Sequence, residues 1–518
     1  MHDRIIAAGP AGRAASFTGR PAAVRLRRMR PGRLVLALAL LCGCAALGAG
    51  CGAASGPAGS GAEIVPASAP AYVAVDTDTG SSQWQTVDDL ASRFPDRQKA
   101  IDSLKTDLRK QGGIDYDQDV KPALGPEVDV VWLDFANDGE DVVGLTQPGD
   151  EEAFKRLVAK GNAKDADNKL LYQKVGDWEV FSDKQSLLDR FVIESTGGQA
   201  KLADDPSFQR AMDAISGDAL VKAYVNGQKV MDELTRRGGA QVGKLSDQLG
   251  TLEWITAAVQ ASSDGVRFDT VIRGTPGKLL RSAATSPTFH ASLPERVPGD
   301  ALFYLGFHGA EGMLDTLGTT PQLSTPALQP VAGILRDVGA LLQGEDALYA
   351  RPPDSGKIPE ITLVTEPKEG TDAAALVDAL FVKYGTQFLP GTKPQTTSFG
   401  GVEGRKVDFG GFELDYANVD GKFVLTDLPQ GILSLRSPKA TLADSDAYKS
   451  AVDASGLPAS TQGFVYVDIS GGVGLVQKLA DAPIPGDVAR NLKPLRSAVE
   501  YALGKPSEVH VTFFLQIQ

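Results

Sequence analysis

Residues 65–75 read VPASAPAYVAV, and residues 297–307 read VPGDALFYLGF. Val65-Pro66 with Tyr72–Val75 in the first stretch answers to Val297-Pro298 with Tyr304–Phe307 in the second. The correspondence continues in the same order along the chain. Leu145-Thr146-Gln147-Pro148 returns as Val364-Thr365-Glu366-Pro367, and Val180–Asp183 returns as Val424–Asp427. Leu202-Ala203-Asp204 with Phe208 returns as Leu442-Ala443-Asp444 with Tyr448, and Tyr224-Val225-Asn226 as Tyr466-Val467-Asp468. The separations stay between 219 and 244 residues. Preserved order at near-constant spacing predicts a tandem duplication, with copies at 64–274 and 293–518. A polar linker at 275–292, carrying Pro276 and Pro287, joins them. The period exceeds a solenoid unit of about 20–50 residues and suits a domain.

Within a copy, short β-branched or aromatic stretches alternate with amphipathic ones. Tyr72–Asp76, Glu127–Asp134, Val175–Ser182 and Phe423–Thr426 read as strands, and Gly265–Ile272 and Val509–Ile517 as a closing strand in each copy. Pro95–Lys110 reads as a helix opened by Pro95, with Ile101, Leu104 and Leu108 on one face and Gly112-Gly113 as its stop. Asp150–Lys160 reads as a helix capped by Asp150. Glu151 and Glu152 sit at the positive end of its dipole, and Phe154, Leu157 and Val158 face inward. Thr371 opens the matching helix, with Leu376, Val377, Leu380 and Phe381 inward. Several strand-to-strand steps lack an intervening helix, which predicts antiparallel pairing with helices packed on one face. The fold class expected is α+β, two tandem repeats each built on a mainly antiparallel sheet.

The N-terminus carries a different signal. Leu34–Leu47 is an apolar run of 14 residues, short of the roughly 20 a membrane-spanning helix needs. Arg25, Arg27, Arg28, Arg30 and Arg33 precede it, and Gly48-Ala49-Gly50-Cys51 follows. Residues 1–50 therefore read as a signal peptide, with Met29 as an alternative start. Cys51 reads as the lipidated residue of a lipobox, with Cys44 in Leu41-Cys42-Gly43-Cys44 as its rival. Residues 51–63 then form the lipidated cysteine and a flexible Gly/Ser/Ala tether, whose twelve residues after Cys51 reach roughly 20 Å. The expected location is the extracytoplasmic face of the cell membrane, through a lipid anchor. No cysteine lies beyond Cys51, so disulfides, thiolate nucleophiles and cysteine metal sites are excluded from the globular part. The chain has a net charge of −13; without residues 1–50, which hold eight arginines and one acid, it is −20. That charge opposes binding to nucleic acid.

The stretch Gly113-Ile114-Asp115-Tyr116-Asp117-Gln118-Asp119-Val120-Lys121-Pro122-Ala123-Leu124-Gly125-Pro126-Glu127 resembles an element of a bacterial envelope lipoprotein family known as domain of unknown function 3352. An opening Pro-x-x-x-x-x-Tyr strand (Pro66 to Tyr72) and the Asp-Val-x-Pro-x-Leu-Gly segment carry the likeness. A tryptophan is common in that family where this chain has Ala123. The resemblance spans the mature chain and implies an envelope location and a fold type, with no catalytic residues.

Candidate chemistry is sparse. Asp76 and Asp78 end the first strand of one copy; His308 and Glu311 hold the matching place in the other. These four are the binding candidates, set against plain solvation of strand ends. Asp115-x-Asp117-x-Asp119 opens like a calcium loop, yet Val120 and Pro126 stand where glycine and glutamate are required. Ser470-Gly471-Gly472-Val473-Gly474 lacks the lysine of a phosphate loop, and its counterpart at Asn226-Gly227 has one glycine. His510 reads as structural. No HExxH and no Gly-x-Ser-x-Gly occur. All four tryptophans, Trp84, Trp132, Trp178 and Trp254, lie in the first copy. No catalytic residue, metal site or cofactor is assigned. The expectation is a non-enzymatic binding or envelope-assembly protein whose partner is a small molecule, a lipid or an envelope protein, with a cleft between the copies. A carboxylate-dependent envelope hydrolase is the alternative.

Overall fold

The structure, a computed structural model, describes residues 59–164, 169–215, 217–238, 250–277, 286–310, 314, 329–354, 358–388, 392–479 and 484–518. Cys44, Cys51 and Glu311 lie outside them. The strands of the first half are β1 (Ala71–Asp76), β2 (Glu127–Trp132), β3 (Val142–Thr146), β4 (Leu171–Val175), β5 (Trp178–Ser182), β6 (Val221–Asn226), β7 (Gly250–Ser262) and β8 (Gly265–Pro276). Those of the second are β9 (Phe303–His308), β10 (Glu345–Arg351), β11 (Glu360–Thr365), β12 (Gln395–Phe399), β13 (Val402–Asp408), β14 (Glu413–Val419), β15 (Lys422–Thr426), β16 (Gly463–Asp468), β17 (Leu495–Lys505) and β18 (Glu508–Ile517).

All of them join one sheet, and every pairing is antiparallel. The first half runs β4-β5-β3-β2-β1-β6-β7-β8. The second runs β18-β17-β16-β9-β10-β11-β15-β14-β13-β12. The halves meet edge to edge: β8 pairs with β18 from Gly265↔Gln516 to Arg273↔Glu508. The sheet is therefore continuous where the sequence suggested an open cleft. The protein is α+β.

Helices cover both faces, not one. Alternate residues of a strand point to opposite faces, and here both sets are apolar. Tyr72, Ala74, Val131, Leu145 and Val180 pack with Leu187, Leu188 and Phe191 of the helix Gln185–Thr196 and with Phe208 of the helix Pro206–Asp213. On the other face Val75, Val130, Val142 and Phe181 pack with Ala153, Phe154 and Val158 of the helix Glu151–Lys164. The second half has the same two layers, with Tyr304, Tyr349 and Val424 in one and Tyr416, Phe423 and Val377 in the other.

Local chemistry explains most element ends. Asp150 Oδ1 accepts the backbone N–H of Glu152 and Ala153, capping its helix. Asp372, one residue past Thr371, does so for the helix Ala373–Phe388 through the N–H of Ala375. The helix expected from Pro95 begins at Arg97 and ends on Gly113, whose φ of 66° is the left-handed stop glycine favours. Val175–Ser182 is not one strand. Gly176, at φ 61°, turns the chain between β4 and β5. β8 runs to Pro276, two residues into the segment read as a linker. Ser60–Glu63, read as the end of a flexible tether, forms a 3-10 turn with Gly61 and Ala62 buried, and residues 51–58 lie outside the described residues.

Candidate functional site

The sequence-nominated acids sit at the end of β1 and serve the turn that follows. Asp76 Oδ2 accepts the Ser81 hydroxyl at 2.6 Å and Oδ1 accepts the Asp78 N–H at 2.9 Å. Ser81 in turn caps the helix Ser82–Ser92, and the Trp84 indole N–H donates to the Asp76 carbonyl at 2.9 Å. Burial first, with the charges of Asp78 and Glu127 adding to it, pushes the Asp76 carboxyl up to about 6 against the Ser81 and Asp78 hydrogen bonds. Asp78 Oδ1 accepts the Gly80 N–H, whereas its Oδ2 is buried without a partner. Asp76 is thus a bracket between strand and helix. His308 ends β9, half-buried, with its ring 5.6 Å from that of Phe289 and Nδ1 unpartnered. Six strands separate β1 from β9 in the sheet, about 34 Å at the usual strand spacing, so these candidates form no common site.

The acidic segment 115–119 is internally neutralised. Asp115 Oδ1 accepts the N–H of Asp117 and Gln118, and its Oδ2 meets Arg109; Asp117 meets Lys105 and Asp119 meets Lys160. The Asp-Val-x-Pro-x-Leu-Gly element ends on Gly125 for a steric reason: a Cβ there would stand 1.8 Å from the Gln147 carbonyl oxygen. The Ser470–Gly474 stretch lies in the first turns of the helix Ile469–Leu479, directly after β16, where Asp468 Oδ1 accepts the Gly471 N–H just as Asn226 Oδ1 accepts that of Lys229 at the start of the helix Gly227–Gly238. Trp84, Trp178 and Trp254 are buried, and Trp132 packs against the core. Among the described residues no group of three or more His, Cys, Asp or Glu side chains has metal-binding geometry.

A groove of about 190 Å³ lies where β8 meets β18. Ala258 and Gln260 of β7, Asp269 and Val271 of β8, and His510 and Thr512 of β18 line it, with Ala214 and Ile215 following the helix Pro206–Asp213 as a wall. Thr512 donates to Asp269 Oδ1 at 2.7 Å, and Arg267 stands 3.9 Å from the same carboxylate. Arg267 also donates to the Tyr501 hydroxyl and to the Ser455 carbonyl of the other half. His510 Nε2 lies 2.7 Å from Glu508 Oε1, and Glu508 pairs with Arg273 at 3.1 Å. The His510 contact, with Arg273 behind it, holds the Glu508 carboxyl below its usual range. A carboxylate, a hydroxyl, an amide and an imidazole line the groove beside Ala258, Val271 and Ile215. Sequence reading missed it because β8 and β18 are about 240 residues apart; the partial alternation of polar and apolar residues in each strand marks a strand and not its partner.

The family of proteins of unknown function called DUF3352 matches residues 32–149 and 158–500. The chain belongs to the DUF3352 family. No curated protein matches the DUF3352 chain. Two solved structures, crystal forms III and IV of TP0453, are similar to it at 14% identity, each covering 43% of this chain and 78% of that chain with a TM-score of 0.24. At that score nothing is carried from them to this DUF3352 protein. Among the described residues no helix is long and apolar enough to cross a membrane.

Proposed function

We propose that this DUF3352 protein is a non-enzymatic extracytoplasmic lipoprotein whose globular part, a tandem duplication of 64–274 and 293–518, binds a small polar molecule or an envelope component in the groove between its halves. The observation that carries the reading is the groove itself, set where the halves join and lined by both. Strand order and register support the duplication. Outward from the seam, β8-β7-β6-β1-β2-β3-β5-β4 is matched by β18-β17-β16-β9-β10-β11-β15-β14. A shift of 243 residues carries the Ser262↔Gly265 turn onto Lys505↔Glu508 and Asp269 onto Thr512, the residue it faces. A two-fold axis then passes through the Asp269–Thr512 pair, at the groove. The leader supports the anchor, since the family match begins at residue 32 and takes in the apolar run 34–47.

Native mass spectrometry of the full-length protein extracted from membranes tests the binding role. A stoichiometric small molecule that is lost in Asp269→Asn and Thr512→Val supports it. A protein isolated empty, with both variants indistinguishable from the parent, overturns it. Incorporation of labelled palmitate that persists in Cys44→Ser and vanishes in Cys51→Ser supports the anchor; no incorporation in the parent refutes it.

A further inference from the structure

The first turn of the described chain is clamped onto the sheet by one carboxylate. Glu127 accepts the backbone N–H of Gly59 at 2.7 Å and of Gly61 at 3.2 Å, and the Ser60 hydroxyl at 3.3 Å. Its register partner is Asp76, the last residue of β1. The second half has the same clamp. Glu345, opposite His308 at the end of β9, accepts the N–H of Ser292 and Leu293 at 2.8 Å each and the Ser292 hydroxyl at 2.5 Å. The two clamps differ two residues further along the strand. The second half has Ala347 there, fully buried; the first has Asp129, also fully buried, with neither carboxyl oxygen meeting a partner. Asp129 packs directly on the clamped turn, since a Cβ on Gly61 would fall 1.7 Å from Asp129 Oδ2.

We propose that Asp129 makes the first clamp proton-dependent, a latch that holds the turn Gly59–Ile64 on the sheet while Asp129 is protonated and releases it when Asp129 ionises. The titratable groups facing Asp129 are Glu127 on its own strand and Tyr72 on β1; from the turn it meets Gly61, beside which lies Trp178 of β5, and neither of these titrates. An ionised Asp129 would place a second negative charge beside Glu127 inside the apolar core, with the Tyr72 hydroxyl as the one donor facing it. Burial, and then the Glu127 charge, holds the Asp129 carboxyl well above the usual carboxylate range. A folded-state value raised in this way stabilises the clamp fully below about pH 4, and that stability is lost as pH rises through the folded value. On release, the proton passes to solvent and the turn comes away from Asp129. The freed stretch from Gly59 to Ile64 spans up to about 20 Å when extended, which lengthens any tether that precedes it.

Hydrogen exchange of the full chain between pH 5 and 9.5, corrected for the intrinsic rate, tests the latch. Protection of the backbone N–H groups of Gly59, Gly61 and Ile64 should fall up to tenfold per pH unit as pH rises toward the folded-state value of Asp129, and level off above it. The N–H groups of Ser292 and Leu293, under Glu345, should stay protected across the range. Asp129→Asn, which cannot ionise, should flatten the dependence, and Asp129→Ala, which copies the second half, should do the same if the amide variant folds poorly. Protection that is flat with pH in the parent, or that falls equally in the variants, overturns the proposal.

Discussion

Asp346 is the residue whose replacement speaks most directly to how this sheet is held. It lies in β10, fully buried, with both carboxyl oxygens unpartnered. Burial, with the charges of Glu366 and Glu345 adding to it, pushes its carboxyl up to about 8. In the unfolded chain the same group titrates near 3.9. The folded state therefore binds the proton more tightly, so the stability this residue contributes is intact below about pH 4 and is lost as pH rises toward 8. Over the interval from pH 5 to pH 8 the loss amounts to about 3–4 kcal/mol, taking about 1.4 kcal/mol per pH unit of differential protonation. Asp346→Asn keeps the shape and removes the titration. Urea unfolding of parent and variant at pH 5, 6, 7 and 8 measures the difference at each pH, in which the remaining titrations cancel. The variant should gain on the parent by about 1 kcal/mol per pH unit across this range. A difference that stays constant from pH 5 to 8 would refute the argument, because it would mean that Asp346 is ionised, or solvated, in the folded protein.

Three further outcomes follow from particular contacts. Arg351, with its side chain 6% exposed, meets the buried Glu360 at 3.1 Å, so Arg351→Met should cost about 3–5 kcal/mol in urea unfolding, and the double variant with Glu360→Leu should recover most of it. Gly61→Ala should cost the clamped turn its fit against Asp129, read as faster proteolysis in 59–64 with the second half unaffected. Ser81→Ala removes both the cap of the helix Ser82–Ser92 and a hydrogen bond to Asp76; thermal unfolding should show a loss of about 1–2 kcal/mol, whereas Ser262→Ala, whose residue is exposed, should leave stability within about 0.5 kcal/mol.

Much of this protein was legible in one dimension. Strand alternation, the Asp150 cap and the Gly113 stop are properties of neighbours along the chain, and each follows from backbone sterics or side-chain period. They determine an α+β chain with helical and extended segments in nearly the observed places. The errors are also local in origin: Gly176 is a tight turn inside an otherwise strand-like run, and the apolar residues on both sides of β1 to β3 admit a helix layer on each face where alternation alone suggested one. What the tertiary structure alone decided is partnership across distance. Nothing near Asp269 or Thr512 in the sequence says that β8 and β18 share an edge, yet that pairing creates the groove and brings His510 into it. Nothing near Glu127 says that it holds the turn at Gly59, or that Asp129 beside it is sealed beneath Gly61. Hydrogen bonds between strand edges and the burial of a carboxyl depend on which surfaces meet, and surfaces meet only after the chain has folded.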